Sequence, residues 1–232
     1  QFPYYYRNPE GMPQEAALDY YLNSIKDVFE QCGPADSIAA IVVEPLQGEG
    51  GFIPAPIEWV KAVRKICDEN GILLVADEVQ TGFCRTGRMF ATQYWEEAGV
   101  QPDILATAKS IAAALKTIEI MERDDLAGCS CEIGEKVSKR FNEWKEKYPV
   151  IGDVRGLGGM IGLEFVKDQK SKEPYPEFSA AVISGCAKKG LMIEGAGTYG
   201  NVIRFLAPLV MTDEQLEAGL DIYESVIKEL LE

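Results

Sequence analysis

Three short apolar segments in the first half of the chain have the pattern of strands. They cover residues 38–43, 72–75 and 103–107, and glycine, proline or charged residues bound each of them. Continuous apolar runs of this length are typical of strands that are buried on both faces of a parallel sheet. Helical apolar stripes at residues 14–31 and 56–70 precede the first and second strands. This order predicts right-handed parallel crossovers in an α/β fold.

The second half of the chain combines a long helical pattern with two strand patterns. Apolar residues recur at helical spacing between residues 131 and 148, which predicts one amphipathic helix. Thr212 begins a capping box that should start the terminal helix. Between these two helices we predict a strand, a helix and a strand at residues 160–166, 176–189 and 202–209.

The change of pattern near Asp124 predicts a domain boundary. Residues 1–123 are assigned to a larger domain with the parallel sheet, and residues 124–232 to a smaller α+β domain. Just before the boundary, Lys109 is followed almost directly by a helical pattern at residues 112–120. A connection this short leaves little room around the lysine.

Composition and charge exclude several classes of function. The chain of 232 residues has 47% hydrophobic and 26% charged residues and a formal net charge of -14. That acidity argues against a nucleic-acid surface, which needs concentrated positive charge. No apolar run is long enough to span a bilayer, and there is no basic-then-apolar secretory start. We therefore expect a protein of the cytoplasm or an organelle matrix, with residues upstream because the chain does not begin with Met.

The cysteine and histidine content narrows the chemistry further. Six cysteines occur without a C-x-x-C pair, which favours free thiols over a disulfide framework or a zinc site. Histidine is absent, so this chain alone cannot build a Ser-His-Asp or Cys-His site or a His-ligated metal. Acid–base chemistry must then use Lys, Asp, Glu, Tyr or a cofactor.

A glycine-rich run at residues 156–162 is interpreted as a tight turn. It reads G-L-G-G-M-I-G, which does not match the dinucleotide-binding G-x-G-x-x-G, and it leads into a strand instead of a helix. The chain also has no G-x-x-x-x-G-K-[ST] and no G-x-S-x-G. These absences count against P-loop kinases and α/β-hydrolases.

Five polar side chains follow the predicted strands at the end where open α/β sheets bind ligands. A lysine near one buried carboxylate is often a structural ion pair, so no single pair is decisive. The set as a whole suits pyridoxal phosphate, because an amine can hold the aldehyde and a carboxylate can keep the pyridine nitrogen protonated. The five residues are Glu44, Glu49, Asp77, Gln80 and Lys109.

Four ordered motifs resemble the class III aminotransferases, which are fold type I pyridoxal-phosphate enzymes, and within them the 4-aminobutyrate aminotransferase subgroup. The motifs are IVVEPLQGEGGF, ILLVADEVQTGFCRTG, PDILATAKSIA and IGDVRGLGGMIGLEF, and the resemblance runs from residue 2 to nearly the end of the chain. It implies the fold type I architecture: a large parallel-sheet domain, present here in part, and a smaller α+β C-terminal domain.

The resemblance also implies roles at the cofactor. Lys109 matches the catalytic lysine that holds the cofactor covalently and shuttles protons. Asp77 matches the partner of the pyridinium nitrogen, Val79 the residue packed under the ring, and Gln80 the partner of the phenolic oxygen.

Three further residues match substrate-binding positions of the family. Arg204 matches the arginine that holds a substrate α-carboxylate, and a guanidinium can grip a carboxylate with two hydrogen bonds. Glu49 matches the acid that pairs with this arginine when the bound substrate has no α-carboxylate. Glu44 matches a residue that lines the substrate side of the site.

The chain departs from the family pattern in two large respects and one small one. The family's N-terminal half, which carries the phosphate-binding turn and residues for the distal substrate carboxylate, is absent. After Lys109 the family continues through several dozen residues that are also absent here. We expect a fragment or a sequence assembled from ordered residues only, in preference to a naturally truncated homologue. Cys84 stands where the family has glycine.

The resemblance implies transamination of an ω-amino acid such as 4-aminobutyrate with 2-oxoglutarate, giving an aldehyde and glutamate. It implies pyridoxal phosphate as the cofactor and a homodimer or a dimer-based oligomer. From the composition we expect no metal at the site and a location in the cytoplasm. The alternatives are another class III activity, namely ornithine, diaminobutyrate or 5-aminovalerate aminotransferase or an amino-acid epimerase, or a non-catalytic scaffold.

Overall fold

The computed structural model of the chain describes residues 1–9, 11–107 and 111–232. Two groups of elements follow one another along the chain, each with its own larger sheet. The first group contains, in order, α1 (Gln14–Gln31), β1 (Ala40–Val43), β2 (Leu46–Gln47), β3 (Ile53–Pro54), α2 (Ile57–Asn70), β4 (Leu73–Asp77), α3 (Thr92–Glu97), β5 (Ile104–Ala106) and α4 (Ile111–Arg123). The second contains α5 (Leu126–Lys147), β6 (Ile151–Leu157), β7 (Met160–Phe165), α6 (Pro176–Lys188), β8 (Glu194–Ala196), β9 (Val202–Phe205) and α7 (Asp213–Leu231).

The first sheet is parallel, as the sequence predicts. Its strand order is β1-β4-β5, with Val43 opposite Ala76 and Asp77 opposite Ala106. Helices α1, α2 and α3 cover one face, and Trp59 of α2 and Trp95 of α3 belong to the core formed there. Because all three strands run in the same direction, their carboxyl ends meet at one edge of the sheet.

The prediction that these strands are buried on both faces is wrong for the described part of the chain. Leu74 and Ala76 of β4 are buried, but Leu73, the first residue of the strand, is exposed. On the neighbouring strands, Val42 is 64% exposed and Ile104 is 48% exposed. The helices of the described residues pack on one face only, so the apolar side chains of the other face contact solvent.

The second sheet is antiparallel, in the order β6-β7-β9-β8. Helices α5, α6 and α7 contribute to one aromatic-rich core against it, in which Phe141 and Trp144 of α5 contact Tyr223 of α7. The predicted capping box is present, because Thr212 Oγ1 accepts from Gln215 N and Gln215 Oε1 accepts from Thr212 N. The domain boundary near Asp124 stays a prediction.

Several predicted boundaries differ from the observed elements. The strand predicted at 202–209 ends at Phe205, before Pro208, which has no N–H to donate to a sheet. The helix predicted from residue 131 begins at Leu126, where Asp125 accepts a hydrogen bond from Gly128 N. The sequence patterns did not predict strands β6 and β8 or the short pair β2–β3.

Among the described residues, no helix is both long and apolar enough to cross a membrane.

The glycine-rich run at residues 156–162 forms the hairpin turn that its sequence predicts. Leu157 pairs with Met160, so Gly158 and Gly159 make the turn between β6 and β7. A Cβ on Gly134 of α5 would collide with the carbonyl group of Gly158, and a Cβ on Gly158 would collide with the backbone of Thr86. Three backbone segments therefore meet without side chains between them, and the loop after β4 is held against the second sheet.

We predict that Gly134→Ala destabilises the protein by about 1–3 kcal/mol or more, because the new methyl group meets backbone that cannot rotate away. The matched control is Gly219→Ala in α7, also inside a helix, where the new Cβ would lie 3.5 Å from the end of the Leu191 side chain. That variant should be neutral or more stable by up to about 1 kcal/mol, because alanine favours helix. Urea unfolding of both variants checks this, and equal effects would contradict it.

Candidate active site

The predicted site residues fall at the carboxyl edge of the parallel sheet. Glu44 directly follows β1, and Asp77 is the last residue of β4. Val79 and Gln80 lie in the loop after β4. Lys109, the predicted catalytic lysine, lies outside the described residues, so its position relative to Asp77 stays a prediction.

The loop between β2 and β3 is shaped by Glu44 and by glycine. The Glu44 carboxylate accepts a hydrogen bond of 2.9 Å from Gly48 N, and Gly51 N donates to Gly48 O at 3.1 Å. A Cβ on Gly48 would collide with the side-chain amide of Gln80. Glycine at this position lets Gln80 approach the loop, and the hydrogen bond to Glu44 holds the start of the loop next to the end of β1.

The same loop is attached to the second sheet through its backbone. Gly197 N donates to Glu49 O at 2.9 Å, and Arg155 Nε donates to Gly51 O at 2.9 Å. Phe52, at the end of the loop, is fully buried with Met160. Glu49 is therefore held between the carboxyl edge of the first sheet and the strands of the second.

The side chain of Glu49 contacts two of the predicted site residues. Arg204 Nη1 donates to Glu49 Oε1 at 2.5 Å, and Gln80 Nε2 donates to the same oxygen at 3.2 Å. The hydrogen bonds from Arg204 and Gln80, together with the positive charge of Arg204, lower the pKa of Glu49 below its usual value. On its other side Arg204 Nη2 lies 2.7 Å from Glu194 Oε2. The guanidinium therefore contacts two carboxylates.

Asp77 and Val79 are placed next to each other in a turn. Asp77 Oδ1 accepts a hydrogen bond of 3.0 Å from Val79 N, and the Asp77 side chain is half-buried. The Val79 side chain is exposed. An exposed apolar side chain beside a carboxylate would suit an aromatic cofactor with a basic ring nitrogen, because the two groups could support its ring and pair with its nitrogen. Their roles at such a ring remain predictions.

A family model described as aminotransferase class-III matches the chain at residues 2–115 and 110–227. This chain belongs to the class III aminotransferase family.

Two relatives show how similar this chain is to named members of the family. The chain is 37% identical to a Bacillus subtilis protein named "Probable 4-aminobutyrate aminotransferase", over 98% of this chain and 59% of that protein. It is 39% identical to a 5-aminovalerate aminotransferase of Pseudomonas putida, over 92% of this chain and 58% of that protein. The first alignment runs over 262 residues, more than the 232 of this chain. The relative thus has residues that this chain lacks inside the matched region.

A solved structure has the same fold. It is an amine transaminase from an uncultivated Pseudomonas species in the PLP-bound (internal aldimine) form. The TM-score is 0.86 at 28% identity, over 98% of this chain and 60% of that chain. The chain therefore spans about 60% of the length of these relatives, and it forms part of the mixed α/β fold of pyridoxal-phosphate transaminases.

The described residues of this class III chain fit the ring of pyridoxal phosphate. A carboxylate, Asp77, and an amide, Gln80, lie three residues apart at the carboxyl edge of the sheet. Those groups suit a protonated pyridine nitrogen and a phenolic oxygen respectively. Gln80 also donates to Glu49, so it connects the carboxyl edge of the parallel sheet with the acid that contacts Arg204.

Sequence reasoning missed three residues that position the site. Glu194 contacts Arg204, as described above. Glu78 is fully buried and caps α3, because its carboxylate accepts from Thr92 N at 2.7 Å and Ala91 N at 3.1 Å. Arg85 Nη1 donates to Ala207 O at 2.6 Å and so joins the loop after β4 to the segment that follows β9. Burial lowers the pKa of Arg85. No local sequence signal marks Glu78 as a cap, because it lies fourteen residues before Thr92, the first residue of α3.

We predict that Glu78→Gln lowers the free energy of unfolding by about 1–3 kcal/mol. The amide replaces an oxygen that accepts from the backbone with a group that donates, and a buried N–H then loses its acceptor. The control is Glu96→Gln, the same change at an exposed position within α3, the helix that Glu78 caps. It should lower the free energy of unfolding by less than about 0.5 kcal/mol. Equal unfolding midpoints for the two variants in a urea titration would contradict the capping role.

Proposed function

We propose that the protein transfers the amino group of an ω-amino acid of the 4-aminobutyrate type to 2-oxoglutarate, giving an aldehyde and glutamate. The observation that carries this proposal is the 2.5 Å contact between Arg204 and Glu49 beside the edge of the parallel sheet. A guanidinium placed there can bind the α-carboxylate of an α-amino or α-keto acid with two hydrogen bonds. An ω-amine has no carboxylate at that carbon, and Glu49 then supplies the negative charge.

The two states of Glu49 would let one site accept both substrates. With an ω-amine bound, Glu49 stays on Arg204 and Gln80. With 2-oxoglutarate bound, the α-carboxylate takes the place of the Glu49 carboxylate, whose side chain is 71% exposed and can turn into solvent. The backbone of Glu49 need not move, since its carbonyl group is bonded to Gly197 N.

Pyridoxal phosphate is the proposed cofactor, and when bound it would supply an electron sink for the carbon that loses or gains the amino group. Asp77 would keep its pyridine nitrogen protonated, Val79 would support the ring, and Gln80 would bond the phenolic oxygen. Lys109 would hold the cofactor and carry the proton. Glu44, by closing the loop that bears Glu49, would shape the substrate side.

A second candidate substrate is 5-aminovalerate, which is one methylene longer. It is favoured by the 39% identity to a relative with that name. One methylene is worth only about 0.8 kcal/mol of burial, or roughly fourfold in preference. The ratio of kcat/KM for the two amines decides between them.

We further propose that the protein works as a homodimer in the cytoplasm. The support for the dimer is family membership, since family active sites are shared between subunits. The support for the compartment is that the six cysteines are all free thiols, which suits a reducing environment.

The test separates the two half-reactions. Glu49→Gln should slow the half-reaction with 4-aminobutyrate by about tenfold or more, because Arg204 loses the charge that neutralises it when the substrate brings no α-carboxylate. The half-reaction with 2-oxoglutarate should change by less than about threefold. Rapid-mixing spectra of the cofactor-loaded protein with each substrate measure both rates.

The matched control is Glu69→Gln, the same change at an exposed carboxylate on α2. It should leave both half-reactions unchanged. Equal loss in the two half-reactions of Glu49→Gln would contradict the exchange on Arg204. A wild-type protein that reacts with neither 4-aminobutyrate nor 5-aminovalerate would contradict the proposed activity itself.

A further inference from the structure

The guanidinium of Arg204 lies between two carboxylates. Glu49 Oε1 is 2.5 Å from Nη1, and Glu194 Oε2 is 2.7 Å from Nη2. One positive charge therefore faces two negative charges, and the group as a whole carries an excess of negative charge. Exchange of a substrate carboxylate for Glu49 needs only one of these acids, which leaves the second without a role in the proposed function.

The two acids are attached to the fold in different ways. Glu194 is on β8, an edge strand of the second sheet, directly opposite Arg204 on β9. Side chains of directly opposed residues in an antiparallel pair lie on the same face and within reach of each other. The backbone under Glu194 is thus held by the sheet, and its contact with Arg204 follows from the strand register. Glu49 is in a loop whose backbone is bonded to Gly197 and not to Arg204, so only the side-chain contact joins Glu49 to the arginine.

From this difference we propose that Glu194 is a positioning residue for Arg204, which stays on the arginine when Glu49 leaves. Glu194 keeps the guanidinium partly neutralised in both states of the site. It therefore shares with Glu49 the task of stabilising Arg204 beside an ω-amine, and it repels each carboxylate that binds at Nη1, that of Glu49 and that of a substrate alike. The inference rests on the proposed function, because it assigns a role within the same exchange.

The two acids should then act non-additively. In the wild type, the Glu49 carboxylate and the substrate carboxylate compete for Nη1 of Arg204, and Glu194 repels both of them. Removing Glu194 therefore strengthens the contact of each carboxylate with Arg204 by a similar amount, and the affinity for the substrate changes little. When Glu49 is already neutral, nothing competes for Nη1, and the repulsion of Glu194 acts on the substrate alone. Charges about 5 Å apart near a protein surface interact strongly enough to change affinity several-fold.

The experiment is a double-mutant cycle on the binding of 2-oxoglutarate. Calorimetry measures the Kd of the pyridoxal-phosphate form of the protein, which carries no amino group to transfer, so that binding is read without turnover. The four proteins are the wild type, Glu49→Gln, Glu194→Gln and the double variant. Glutamine keeps an oxygen that can accept from Arg204, so the fold and the arginine position are preserved.

Glu194→Gln in the wild-type background should change the Kd by less than about twofold. In the Glu49→Gln background the same change should tighten binding by about three- to tenfold at low salt, with a smaller gain at 0.5 M salt because both acids are exposed. Equal effects in the two backgrounds, or none in either, would overturn the inference. So would failure of all four proteins to bind 2-oxoglutarate.

The control is Glu97→Gln, since Glu97 is also an exposed acid paired with an arginine, Arg88, at 2.9 Å. It should leave the Kd unchanged in both backgrounds. The reaction of the wild type with 4-aminobutyrate is measured separately. If that reaction fails while the cycle is non-additive, the amine assignment is wrong and the role of Glu194 on Arg204 stands.

Discussion

The site depends on one contact between the two halves of the chain: the loop that carries Glu49 lies against the strands that carry Arg204. Its backbone bond to Gly197 and the bond from Arg155 to Gly51 hold the loop in place, while the Glu49 carboxylate reaches Arg204. The carboxyl edge of a parallel sheet can present Asp77 and Gln80, but it cannot supply the arginine. Only the packing of the second sheet on this loop brings cofactor-side and carboxylate-side groups together.

Glycine makes that packing possible. Gly48 leaves room for Gln80, and Gly134 and Gly158 let helix α5 and the β6–β7 turn approach the backbone of Thr86. Buried Glu78 then fixes the path of the chain directly after Asp77 by binding the first N–H groups of α3. The side chains of the site are exposed or half-buried, so their positions are set by these close backbone contacts beneath them.

Local patterns in the sequence predicted most elements, including the parallel strands, the capping box at Thr212 and the turn at Gly158–Gly159. They did not predict which faces of the first sheet are buried, because Val42 and Ile104 are apolar whether or not a helix covers them. Family motifs pointed to Glu49 and Arg204. Glu194 was missed although a signal existed: a glycine-rich turn at residues 197–200 centres a hairpin that places Glu194 opposite Arg204. Lys109 lies outside the described residues.

The most direct test of the exchange on Arg204 is the separation of Glu49 and Arg204 in crystal structures of the cofactor-loaded protein with each substrate type. With 2-oxoglutarate, the Glu49 carboxylate should leave Nη1 and a ligand carboxylate should take its place, while Glu194 remains on Nη2. With an unreactive analogue of 4-aminobutyrate, Glu49 should stay bonded to Arg204. A structure in which Glu49 remains on Arg204 while 2-oxoglutarate binds elsewhere would contradict the exchange of carboxylates on Arg204.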